Sequence, residues 1–128
     1  MADIRFTDNF SLSEFACKSG APTPKNVIDN LRELAQNLQV LRDHLKSSIR
    51  INSGYRSPAH NKKIGGAKNS QHVQGRAADI AVAGFTPKKV KHAIEALIAK
   101  GAMKQGGIGL YKAWVHYDTR GSAARWNG

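Results

Sequence analysis

The stretch GGIGLYKAWVHYD, residues 106–118, constrains the architecture more than any other segment. It contains two apolar runs, 106–111 and 113–118, separated by Lys112 alone. Parallel strands need a crossover of roughly a dozen residues or more, whereas antiparallel strands close over a tight turn. The two runs are therefore expected to pair as an antiparallel hairpin turned around Lys112. Side chains alternate along a strand, which puts Trp114, His116 and Asp118 on one face and Val115 and Tyr117 on the other. A histidine and a carboxylate thus look the same way.

Working outward, AADIAV (77–82) and SIRIN (48–52) read as two further strands. Between them SGYRSPAHNKKIGG is punctuated by Gly, Ser and Pro, with Ser57-Pro58 able to start one short helical turn. Three helices are expected. Ser11-x-x-Glu14 has capping-box spacing and starts a short helix that ends by Gly20. Thr23-Pro24 supplies an N-cap and a first-turn proline for a long helix, whose Val27, Leu31, Leu34, Leu38, Leu41 and Leu45 form a core stripe at alternating steps of four and three. Thr86-Pro87 starts the third, buried through Val90, Ile94, Leu97 and Ile98 and stopped at Lys100-Gly101. With no repeat, linker or low-complexity segment, residues 1–128 are expected to form one α+β domain, a mainly antiparallel sheet packed with helices.

Composition bounds the function classes. The 128 residues are 41% hydrophobic and 23% charged, globular values, and no run approaches the ~20 apolar residues that span a bilayer. A chain of this size buries roughly two-thirds of its unfolded surface in a single core. The opening MADIRFTDNF carries Asp3, Arg5 and Asp8 where a secretory signal needs an apolar segment, so the chain is expected to be made in the bacterial cytoplasm without a signal peptide. The single cysteine, Cys17, excludes an internal disulfide and reads as a small buried hydrophobe. Twenty basic against nine acidic residues give a net charge of +11, which concentrates polyanions at the surface. No recognition helix, stacking motif or zinc finger accompanies that charge, so no specific nucleic-acid partner is expected; an anionic cell envelope is served equally well, and the charge is also compatible with a plain solvated face.

The chemistry gathers elsewhere. A hydrolytic zinc site uses about three protein ligands and one open position. In NSQHVQGRAADI (69–80), His72 and Asp79 can supply two ligands, and His116 on the terminal strand can supply the third. Gly75, Ala77 and Ala78 are small, as a ligand loop folded closely over the sheet requires. Taken alone, the His-x6-Asp pair is equally readable as a loop histidine and a strand-edge acid. His44 and His92 read as structural. His60, in the loop beside the proposed site, is open between a substrate contact and a surface residue. Arg56, inside SGYRS, is open between a surface charge and a guanidinium that grips a carboxylate or an oxyanion.

SGYRSPAHN, followed by Ser70-x-His72-x-x-Gly75-x-Ala77-x-Asp79 and then by GGIGLYKAWVHYDTRG, resembles the zinc D-alanyl-D-alanine metallopeptidases, which share a fold with the hedgehog signalling domain. The opening FSLSEFACKSG is similar to the start of the small single-domain members, many of them carried by phages. The resemblance implies Zn2+ held by His72, Asp79 and His116. It implies that Arg56 steadies the tetrahedral intermediate and that Ser70 binds substrate or braces the ligand loop. Tyr55 and His60, in the same segment as Arg56, are further candidate substrate contacts by position alone. The implied activity is hydrolysis at D-amino acids in peptidoglycan stem peptides, as carboxypeptidase or endopeptidase, after phage-mediated release or from within a virion. Family members place an acidic base three residues before the last ligand; here that residue is Ala113. Of the nine acids only Asp118 stands on the His116 face, roughly 6–7 Å along the strand, and it is read either as the base or as a group that orients the imidazole. Ala113 also leaves room for a non-catalytic, metal-containing wall-binding module.

Overall fold

A computed structural model describes residues 3–128; Met1 and Ala2, the start of the segment read above for charge, lie outside the described residues. Four helices, α1 (Leu12–Phe15), α2 (Lys25–Leu45), α3 (Pro58–Lys63) and α4 (Pro87–Ala99), accompany five strands, β1 (Ile49–Ser53), β2 (Ala77–Val82), β3 (Gly107–Leu110), β4 (Val115–Asp118) and β5 (Ala124–Asn127). The strands form one sheet in the order β1-β2-β4-β3-β5. Pairing is antiparallel except between β3 and β5, which run parallel.

Local signals account for the helices. Thr86 Oγ1 accepts the Lys89 N–H (3.3 Å) and Ser57 Oγ accepts the His60 N–H (3.2 Å), so two expected caps start α4 and α3. The third is displaced by one residue: Pro24, in extended backbone, is the residue that flanks α2, and its carbonyl accepts from Ile28 N–H at 3.0 Å. At α1 the Glu14 carboxylate accepts the Ser11 N–H at 2.8 Å, and the helix ends at Phe15, before Gly20 as expected, because Ala16 already has extended backbone. The α2 stripe is buried through Val27, Leu31, Leu34, Ala35, Leu38 and Leu41, and α4 buries Val90, Ile94 and Leu97. Both helices pack on the sheet face lined by Ala78, Ile80, Val115, Tyr117 and Ile108.

Alternation sends the neighbouring residues of those strands to the opposite face. The register aligns Ser53, Asp79, His116, Gly109 and Trp126 in one row across all five strands, because Ser53 pairs with Asp79, Asp79 with His116, and Gly109 with both His116 and Trp126. β5 escapes the sequence reading because GSAARWNG is short and polar at alternate positions, the pattern of an edge strand. The expected hairpin is present, with a turn spanning Tyr111–Trp114, wider than Lys112 alone, closed by Tyr111 N–H to Trp114 O at 3.1 Å. No helix among the described residues is long and apolar enough to cross a membrane.

Candidate metal centre

Asp79 and His116 are directly opposite each other on neighbouring central strands, so the sheet alone brings a carboxylate and an imidazole together. His72 arrives from the turn before β2. Gly75, at φ +73°, bends the chain back toward the sheet, and a side chain there would run into Val27 of α2. The loop therefore presses onto α2 and turns His72 inward, where its imidazole is buried. His72 Nε2 and His116 Nδ1 each lie 3.4 Å from Asp79 Oδ1, and one ligand atom from each of the three residues falls within 4.8 Å of the others.

The second nitrogen of each ring is committed elsewhere. His72 Nδ1 donates to the Gly54 carbonyl at 2.8 Å, and His116 Nε2 donates to Asp118 Oδ2 at 2.7 Å. Each bond places the proton away from the convergence point and leaves a lone pair aimed at it, as a metal-binding imidazole requires. Two such nitrogens and one carboxylate oxygen fit zinc, with room for a fourth ligand.

Asp118 has no exposed surface. Besides His116, its oxygens accept the Gly107 N–H (2.8 Å) and the Arg120 Nε (2.9 Å) and Nη2 (2.7 Å). Burial pushes its carboxyl up, but the hydrogen bonds from His116 and Arg120 outweigh it and hold the group well below the usual carboxylate range. Asp79 is also held low: burial opposes, and the two imidazoles beside it prevail. His116 is raised: burial opposes, but its bond to Asp118 and the Asp79 carboxylate beside it prevail.

A cavity of about 530 Å³ opens over the three ligands. Arg56 borders it with its side chain 17% exposed, its Nη2 3.4 Å from Asp79 Oδ2 and its Nε 3.3 Å from Ser53 Oγ. Ser70 also lines it, and its Oγ accepts the His72 N–H at 3.2 Å, bracing the ligand loop. Two sequence candidates are not brought here. Tyr55 is buried in the core, where burial raises its phenol, and His60 rides on α3 into a separate cavity beside Lys18 and Lys63. Asp118 does not border the cavity either; it lies behind His116. Ala113 is exposed in the β3–β4 turn. Sequence reasoning missed Tyr111, Trp114, Arg120 and Trp126, which form the far wall. Trp126 depends on β5, whose pairing is not written in its own composition.

The family model described as Peptidase M15 matches residues 8–118. A curated relative from Haemophilus influenzae, named "Probable peptidoglycan L,D-endopeptidase MepK", is 34% identical over 106 residues, covering 77% of this chain and 53% of the relative. The chain thus spans about half the length of that protein. Since the match runs from the N-terminal segment through both ligand-bearing strands to the aspartate behind His116, the chain belongs to the peptidase M15 family.

Proposed function

We propose that the protein is a zinc-dependent peptidase of bacterial peptidoglycan that hydrolyses bonds at D-amino acids in stem peptides or cross-links. The observation that carries this reading is the convergence of His72 Nε2, Asp79 Oδ1 and His116 Nδ1 with the other nitrogen of each imidazole already tied down. His72, Asp79 and His116 would hold zinc there, and the ion would supply acidification of water and polarisation of the scissile carbonyl. Arg56, anchored on Asp79 and Ser53, faces the cavity with unused N–H groups and holds the oxygen that becomes negative during attack. Ser70 keeps the ligand loop in place. Asp118 serves as a positioning residue: it fixes the tautomer and orientation of His116 and, being fully enclosed, takes no proton from substrate or solvent.

The relative's printed name supports cleavage within the peptide network over trimming of its ends, so endopeptidase action is the preferred form of the proposal. The net charge of +11 suits an anionic envelope as the surface on which it works. One observation favours a second reading, a metal-containing module that binds wall peptides without cutting them: among the described residues Asp79 is the only carboxylate lining the cavity. Digestion of purified sacculi, with and without chelator, separates the two. An endopeptidase converts cross-linked dimers to monomers in the muropeptide mass spectrum, a carboxypeptidase removes only terminal residues, and a binding module changes nothing.

A further inference from the structure

We propose that the Tyr111 hydroxyl is a catalytic group of this site, donating a hydrogen bond to the substrate oxygen that gains charge, and that Trp126 holds it in place across Gly109. The proposal rests on the peptidase reading above. In the row Asp79, His116, Gly109 and Trp126, glycine is the one position without a side chain, and the indole of Trp126 lies in the space it leaves; a methyl on Gly109 would collide with that ring. The indole crosses β3 to pack on His116, with ring centroids 4.9 Å apart, and its Nε1 reaches Tyr111 Oη at 2.9 Å.

An indole nitrogen only donates, so the Tyr111 oxygen is the acceptor and its own proton stays available. Among the described residues this is the only hydrogen bond that the hydroxyl makes. Stacking on Trp114, at 4.8 Å and 9° between ring planes, fixes the phenol ring on the cavity wall. The sheet order puts Arg56, which follows β1, and Tyr111, which follows β3, on opposite sides of the ligand-bearing strands β2 and β4. A carbonyl lying over the ligands therefore meets a cationic donor from one side and a neutral donor from the other. The β3–β4 turn, which has Ala113 exposed, contributes a phenol to the cavity instead of an acid.

The test uses the full chain, zinc-loaded, on soluble cross-linked muropeptides and on a phosphinate peptide that mimics the tetrahedral oxygen. Tyr111→Phe is expected to lower kcat by about 10²-fold, as loss of one oxyanion donor does. KM and zinc content should stay within about two-fold, while phosphinate affinity falls with kcat. Trp126→Phe, which keeps a ring against His116 but loses the N–H, should give a smaller loss, and the double variant should be no slower than Tyr111→Phe because Trp126 acts through Tyr111. Full kcat and full phosphinate affinity in Tyr111→Phe would overturn the proposal alone. A zinc-loaded wild-type protein that cleaves no muropeptide would overturn the peptidase reading, and this proposal with it.

Discussion

Replacing Asp118 by Asn changes one oxygen to NH2 and removes one charge, and the consequences can be followed atom by atom. In the wild type Oδ2 accepts from His116 Nε2 and Arg120 Nη2, each at 2.7 Å, while Oδ1 accepts from Gly107 N–H and Arg120 Nε. The amide can keep its oxygen toward Gly107, but its NH2 then faces two other donors. His116 relieves that clash by moving its proton to Nδ1, the nitrogen that points at Asp79, which removes the lone pair needed for metal. Zinc affinity should therefore fall about 10–100-fold, the range for losing a partner of a ligand imidazole. Loss of a buried, charge-assisted network should also cost about 2–4 kcal/mol of folding stability, below the full value for a buried ion pair because Arg120 is partly exposed. Competition with a chromophoric chelator measures the first quantity and urea melts of metal-free protein the second. Activity should return in part with excess zinc. An Asp118→Asn protein with wild-type zinc affinity would show that Asp118 does not set the His116 tautomer.

Arg56→Lys keeps the positive charge but loses the planar fork that spans Ser53, Asp79 and the cavity, so kcat on muropeptides should drop about ten-fold or more at unchanged zinc content. Gly75→Ala places a side chain at φ +73° against Val27, and thermal melts should show a loss of about 2 kcal/mol or more. Raising ionic strength should weaken binding to intact sacculi much more than hydrolysis of a short soluble peptide, because screening acts on the extended field of the +11 surface; co-sedimentation and peptide kinetics over one salt series compare the two.

The sequence makes the central hairpin legible because period-two alternation and a turn too short for a crossover leave one arrangement, whereas the set His72, Asp79 and His116 rests on the family resemblance carried by Ser70-x-His72-x6-Asp79 and the later His116-x-Asp118. Their register is less legible. That Asp79 faces His116 across β2 and β4 depends on pairing between strands more than thirty residues apart, which no local pattern encodes. Asp118 was readable as belonging to the His116 face but not as enclosed: its burial comes from Gly107 and Arg120 closing around it. Tyr55 and His60 are candidates for the site only by nearness in sequence to Arg56. Yet the chain around Gly54 packs on α1, with Tyr55 N–H bonded to Phe15 O at 2.7 Å, and α3 then carries His60 away. The aromatic wall was invisible for a related reason. Gly109 reads as one more strand glycine until β5 puts Trp126 beside it.

In the proposed reaction, hydrolysis depends on zinc held by His72, Asp79 and His116. Titrating zinc into metal-free protein while following muropeptide release from purified peptidoglycan tests it most directly. No release is expected without metal, then a linear rise to a plateau at one zinc per chain, with no rise for His116→Ala at the same concentrations. Full release by metal-free protein, or a His116→Ala titration that overlays the wild type, would contradict it.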